Sequence, residues 1–357
     1  MKTKPISFTS LTIFTSTILF SLFVSCTPEI GNIINKRISR EYTNSESVKV
    51  YFATNRKVEG QPNECSNNIY TSNYSEQIRF GECVVNVPAR HPVGALDFDP
   101  RGDQNQFFKF LGQREWPQPE FESQFLKDET IIFVHGFNVP FEEAILRAAQ
   151  IQYDLKFPGN VVLYTWPAGA NQNSLLPNLY INEVYANNYK SAIASREHFR
   201  KFIELVLKQS PKVHLVVHSM GHQVVLPVVS NLKNGKLAEL VLNAPDMDDK
   251  DFTSLKDGLV NNSKRVTLYC SPGDNALVAS EKVNGGVRVG MCRKYKDIDV
   301  INVNEVDAPI VGLGHGYYSS RPILTDIYQV LLGVDVRKRL FIRASGPTNG
   351  EDFVLRK

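Results

Sequence analysis

Val213-His214-Leu215-Val216-Val217-His218-Ser219-Met220-Gly221 reads as an apolar strand that runs straight into a serine and then a helix. A serine hydroxyl at its ordinary pKa is a poor nucleophile. Proteins that use one mount it on a sharp strand-to-helix turn, which exposes Oγ and aims the next backbone N–H where an oxyanion forms. His-Ser-Met-Gly alone is short enough to arise by chance, so its context decides the reading. Upstream, Thr130-Ile131-Ile132-Phe133-Val134-His135-Gly136-Phe137-Asn138 is a second buried-type strand that ends in a His-Gly turn. Downstream lie an acid at a strand end, Asp274, and a late histidine, His315.

Around this segment the chain alternates strand and helix from residue 129 onward, the pattern of a parallel sheet covered on both faces. Strands are expected at 131–134, 161–164, 213–217, 240–243, 266–270 and 298–303. Helices are expected at 141–154, 188–208, 219 to about 232, and 322–332. The order Ser, Asp, His is that of an α/β-hydrolase. The expected fold is therefore α/β: an α/β-hydrolase fold with a mostly parallel central sheet, helices on both faces and an N-terminal β-rich extension. That extension, 47–128, carries short β-type runs at 48–53, 82–87 and 107–111. The hydrolase core spans 129–334, and a tail at 335–357 shows only the strand-like Leu340-Phe341-Ile342.

Six motifs appear in order: Val50-Tyr51-Phe52-Ala53-Thr54-Asn55-Arg56, Phe133–Asn138, Tyr164-Thr165-Trp166-Pro167, His214–Gly221, Leu242-Asn243-Ala244-Pro245-Asp246 and Gly314-His315-Gly316-Tyr317-Tyr318. From about Val48 to about Leu332 the chain resembles a bacterial family of α/β-hydrolases known as a domain of unknown function, DUF900. The resemblance implies the hydrolase fold and little about substrate.

Ser219 is the candidate nucleophile; the competing reading is a serine that merely caps the following helix. Val217 stands two places before it, where the general motif has glycine, so a bulky side chain must fit between strand and helix. His315 is the candidate base, because it alone of the seven histidines follows every core strand on a glycine-rich loop. His135 and His218, inside the turn motifs, read as loop braces. Asp274 is the favoured orienting acid, with Asp246, at the end of the preceding strand, as the alternative; an acid that holds the imidazole need not come from one fixed strand. Otherwise Asp246, Asp248 and Asp249 read as a loop brace or helix cap rather than a calcium site. Backbone N–H groups of Phe137 and Met220 are the candidate oxyanion donors. Asn138 could add a donor, and Trp166 either lines a pocket or packs in the core. No metal or organic cofactor is called for.

The chain opens with Lys2 and Lys4 before an apolar stretch from Ile6 to Val24 and the junction Ser25-Cys26, the layout of an export signal. A cysteine just after the break points to a lipoprotein signal over 1–25, with Cys26 acylated and 26–46 a polar tether. Phe23, three places before the cysteine, departs from the usual leucine. The alternative is an uncleaved anchor, since the stretch approaches the roughly 20 residues that span a bilayer. The expected location is outside the cytoplasm, lipid-anchored at a bacterial membrane. Export makes Cys65, Cys83, Cys270 and Cys292 a candidate disulfide set, paired by neighbourhood as Cys65–Cys83 and Cys270–Cys292. A net charge of +3 with no dense basic stripe excludes nucleic acid as a natural partner. The sequence thus points to an exported serine hydrolase acting on a small-molecule or lipid acyl ester. An envelope acyltransferase using the same residues, or a non-catalytic binding protein on the same fold, are the alternatives.

Overall fold

The runs at 130–134, 160–165, 213–218 and 237–243 carry too few polar side chains to face water on either side, so they can form only strands covered on both faces. The computed structural model describes residues 43–125, 129–169, 181–306 and 315–356. The leader, Cys26 and the tether up to residue 42 lie outside the described residues; the expected end of the tether at 46 is corrected, because Ser45 and Glu46 already pair with β2 as the start of β1. In chain order the elements are β1 (Ser45–Val58), β2 (Tyr70–Pro88), β3 (Lys109–Trp116), α1 (Gln118–Ser123), β4 (Thr130–Val134), α2 (Phe141–Asp154) and β5 (Asn160–Thr165). Next come α3 (Ile181–Ala194), α4 (Arg196–Gln209), β6 (Val213–His218), α5 (Gly221–Val229), β7 (Leu237–Asn243), α6 (Asp249–Asn261) and β8 (Ser263–Cys270). The chain finishes with α7 (Asn275–Asn284), β9 (Asp299–Asn302), α8 (Arg321–Leu331), β10 (Ile342–Ala344) and β11 (Phe353–Leu355).

The strands form an 11-stranded sheet in the order β10-β11-β9-β8-β7-β6-β4-β5-β1-β2-β3. Pairing is parallel from β1 through β5, β4, β6, β7, β8 and β9 to β11, and antiparallel only at the two edges. This is the α/β architecture read from the sequence, with the β-rich N-terminal part added as β1–β3. Alternation along β4 divides two cores. Ile131 and Phe133 pack with Phe141, Ile145 and Ala148 of α2 and Ile323 and Ile327 of α8 on one face. Ile132 and Val134 pack with Phe199, Phe202 and Val206 of α4, Val224 and Val225 of α5 and Phe252 of α6 on the other.

Three stretches differ from the sequence expectation. The helix expected at 188–208 starts earlier and divides at Ser195, whose carbonyl accepts from Tyr164 Oη 3.1 Å away and whose hydroxyl accepts from Asn55 Nδ2 at 2.9 Å. The tail is more ordered than its composition announces, because β11 adds to β9 in parallel and β10 closes on β11. Helices α6 and α7 are additions to the expected set; they begin at Asp248, a cap as its sequence reading allowed, and Asp274, whose carboxylates accept from the first backbone N–H groups. The cysteines pair as Cys65–Cys83 and Cys270–Cys292.

Candidate active site

A parallel sheet leaves its functional side chains at the carboxyl ends of the strands, where the connections to helices begin. Ser219 follows β6 at that edge and takes φ 51°, a left-handed conformation that a non-glycine residue holds only when its surroundings fix it. Here they do. Its N–H donates to Asn243 O at 3.0 Å, and its carbonyl accepts from His222 N–H at 3.1 Å and from His222 Nδ1 at 2.6 Å. Met220, not Ser219, occupies the cap position of α5. Gly221 is needed because a Cβ there would lie 2.5 Å from His135 O. Val217 is fully buried in the same core cluster as Met220 and Val224, so the bulk that departs from the general motif is absorbed by packing.

His315 Nε2 lies 2.6 Å from Ser219 Oγ, and its Nδ1 lies 2.6 Å from Asp274 Oδ2. Asp274 is completely buried, and an ionised carboxylate only accepts, so Nδ1 carries the proton and Nε2 is the acceptor for the serine hydroxyl. The other Asp274 oxygen accepts from Ala276 N and Leu277 N, both at 3.1 Å, at the start of α7. That helix end favours negative charge and fixes the carboxylate. The histidine is fixed as well: His218 Nε2 donates to His315 O at 3.0 Å, and the His218 ring stacks on Tyr318 at 3.9 Å. The set is arranged for proton transfer from Oγ to an imidazole that a carboxylate holds in one tautomer.

The His135-Gly136 turn lies against this elbow. A Cβ on Gly136 would fall 2.7 Å from Ser219 Cβ and 2.9 Å from His218 Nδ1, so only glycine allows the approach. Among the described residues neither the Phe137 nor the Met220 backbone N–H has a hydrogen-bond partner. Behind the turn runs a relay that the sequence did not announce. Arg56, between two register shifts in β1, is buried and donates through Nε to Thr165 Oγ1 at 2.9 Å. Thr165 in turn donates to His135 Nε2 at 3.0 Å, and His135 Nδ1 donates to Gly136 O at 3.0 Å. Two further Arg56 bonds reach Ala168 O and Val139 O, each at 2.8 Å, so one guanidinium ties the segments on both sides of the turn. Burial pulls the pKa of His135, and likewise of His222, down to about 3, so both are neutral braces. The signal available was that Arg56 closes the Val50–Arg56 motif.

Two expected pocket residues lie elsewhere. Trp166 is fully buried, donates to His135 O at 3.0 Å and stacks on the His135 ring, so it supports the turn from the core instead of lining a pocket. Asn138 is exposed at φ 55°, with its N–H held by Asn188 Oδ1 at 3.1 Å, and it is not among the residues lining the cavity. The walls come instead from Phe137, from Ile181 and Tyr185 of α3, and from Leu277 and Val283 of α7. Phe137 was marked for its backbone N–H, whereas nothing in the sequence marked Ile181, Tyr185, Leu277 or Val283, which meet only through the fold. Asp246 also faces the cavity, but its carboxylate accepts from Ser280 Oγ at 2.6 Å and Tyr185 Oη at 2.9 Å and lies 3.8 Å from Arg288 Nε. It braces α3 against α7, and Asp274 is the acid bonded to His315.

The chain matches over residues 117–334 the family described as an alpha/beta hydrolase of unknown function, DUF900. The Val50–Arg56 motif falls outside that match. No curated protein matches the chain. Among solved structures it is similar to a cold-adapted esterase from an Arctic intertidal metagenomic library, at 13% identity and TM-score 0.35, over 81% of this chain and 96% of that one. It is also similar to an esterase of Pyrococcus furiosus, at 12% identity and TM-score 0.26, over 59% of this chain and 74% of that one. A third is the phospholipase PlaB from Legionella pneumophila, at 14% identity and TM-score 0.24, over 54% and 43%. Likenesses this distant carry no argument about activity. The sequence match spans more than half of the chain, and on that ground the protein belongs to the DUF900 family of alpha/beta hydrolases.

Proposed function

We propose that the protein is a serine hydrolase that cleaves carboxylic esters through an acyl-enzyme. The observation that carries this reading is the continuous hydrogen-bonded line from Ser219 Oγ through His315 to the buried Asp274, at 2.6 Å on both sides. In the proposed cycle His315 Nε2 takes the Ser219 proton as Oγ bonds to the ester carbonyl carbon. The oxyanion is held by the N–H groups of Phe137 and Met220. His315 then returns the proton to the leaving alkoxide as its C–O bond breaks, which leaves the acyl group on Ser219. A water, deprotonated by the same imidazole, attacks the acyl carbon; the bond from that carbon to Ser219 Oγ then breaks, His315 returns the proton to Oγ, and the carboxylic acid leaves. Two aimed donors suit the developing charge, and the loss of one such donor typically costs about 3 kcal/mol.

The charged, apolar and Ser25-Cys26 segments of the leader support export and lipid anchoring at Cys26, which we include in the proposal. Mass spectrometry of the mature N-terminus tests that part; an unmodified Cys26 would remove the anchor. For the chemistry, the full chain and Ser219→Ala are compared on 4-nitrophenyl butanoate. The variant should lose turnover by at least a factor on the order of 10³. Equal turnover by the two proteins would sink the reading.

A further inference from the structure

The cavity beside Ser219 is open on one side and has a volume of about 170 Å³. An apolar cavity of about 150 Å³ lined by Leu, Ile and Phe is large enough to take benzene. Phe137 and Tyr185 face each other with ring centroids 5.5 Å apart, and Leu277 of α7 is buried in the wall. Ile181 and Val283, each 49% exposed, stand at the mouth. Among the described wall residues the one carboxylate is Asp246, whose oxygens are already taken by Ser280 and Tyr185 and balanced by the buried Arg288 behind it. No cation among the described wall residues is placed to receive an anionic substrate group.

Resting on the esterase reading, we propose that the acyl half of the substrate is a compact, uncharged group between butanoyl and hexanoyl or benzoyl in size. Each methylene added within the cavity moves from water to an apolar wall and is retained in the transition state, so it raises kcat/KM. Beyond that size a chain passes Ile181 and Val283 and gains nothing further from the described walls. An anionic acyl group is disfavoured because it would lose its water in an apolar space where no described wall residue offers a cation in exchange.

The test uses the full-length protein and 4-nitrophenyl esters of acetate, butanoate, hexanoate, benzoate, decanoate, hexadecanoate and monosuccinate, with fluorophosphonate labelling of Ser219 run in parallel. The expected kcat/KM rises about fourfold per methylene up to hexanoate. It then levels off, so that decanoate and hexadecanoate gain no further factor over hexanoate, while monosuccinate is at least roughly a hundredfold slower than butanoate. Ala279→Phe, at an exposed position of α7 on the cavity rim, should lower the hexanoate-to-acetate ratio at least roughly tenfold. Labelling of Ser219 together with a preference for acetate, for hexadecanoate or for monosuccinate would overturn the acyl-group inference and leave the esterase reading standing. Absence of both labelling and hydrolysis would overturn the esterase reading and this inference with it.

Discussion

Acidification from pH 7 to pH 5 should strip several kcal/mol from the fold, because the elbow is braced by imidazoles that are buried uncharged. Burial pulls His135 and His222 down to about 3, and it pulls His218 well below the ordinary histidine value, helped by the neighbouring His315. A folded pKa below the unfolded value near 6.5 means that the unfolded chain takes up a proton the folded chain refuses. The stabilisation is therefore present above pH 6.5 and drains as pH falls towards 3. Integrated from pH 7 to pH 5, each of His135 and His222 contributes about 2 kcal/mol, or about 4 kcal/mol together. His218 and the buried His214 act in the same direction. His91 acts oppositely: its hydrogen bonds to Asp154 and Pro88 outweigh its burial and raise its pKa, so its contribution is present at low pH and lost as pH rises. Glu129, whose pKa is pulled to about 2 by His214 and Lys212 against its own burial, matters only below about 4.5 and stays outside this window. Urea melts at pH 7, 6 and 5 provide the assay. The extrapolated stability should fall by about 4 kcal/mol, with about two or more protons taken up on unfolding. His222→Asn keeps a donor to Ser219 O and should reduce that uptake by about one. A stability equal at pH 7 and pH 5 would refute the neutral-brace argument.

Asp274→Asn should fold, since the amide oxygen still caps α7, but its NH₂ would force the His315 proton onto Nε2. Turnover of an activated ester should fall by a factor on the order of 10⁴, the cost of the equivalent change in a serine-protease triad. Asp246→Asn should instead keep turnover within about tenfold of the unaltered protein and cost about 3 kcal/mol of stability in urea melts, by stranding Arg288; the reverse pattern would exchange the two roles. Gly136→Ala, whose new methyl would collide with Ser219 and His218, should lower kcat/KM by roughly 10²-fold through displacement of the Phe137 N–H. Turnover unaffected by that methyl would show that the turn has no part in the chemistry. Reduction of Cys270–Cys292, which closes a loop of 22 residues beside Asp274, should cost about 3 kcal/mol of stability, read from melts with and without reductant.

What was legible in the sequence was the part written in local runs. Ile131–Val134 is apolar throughout and Val213–Val217 is apolar but for His214, and both are followed by turn residues, so their strands and the elbow could be read directly. Chain order alone brought Ser219, Asp274 and His315 forward, because a parallel sheet sends each connection to the same edge. What was hidden depends on segments far apart in the chain. Arg56 finds its acceptors at Val139, Thr165 and Ala168, and no local period encodes that. Tyr185 and Val283 line one cavity although they belong to different helices. Trp166 fits pocket and core equally by sequence, and its bond to His135 O, which assigns it to the core, spans 31 residues of chain. Strand β11 is three residues long, too short for alternation to register, and exists because β9 offers it an edge. Asp274 shows the two levels combined: its place after β8 was readable, whereas its division between the α7 cap and His315 belongs to the fold.

The central claim is that Ser219 is an activated nucleophile. Its most direct test is reaction of the full chain with a fluorophosphonate, followed by intact mass and peptide mapping. One adduct per chain, on Ser219, is predicted, with the labelling rate lowered by a factor on the order of 10³ or more in His315→Ala. A chain that stays unmodified, or a Ser219→Ala variant that labels as fast as the unaltered protein, would contradict it.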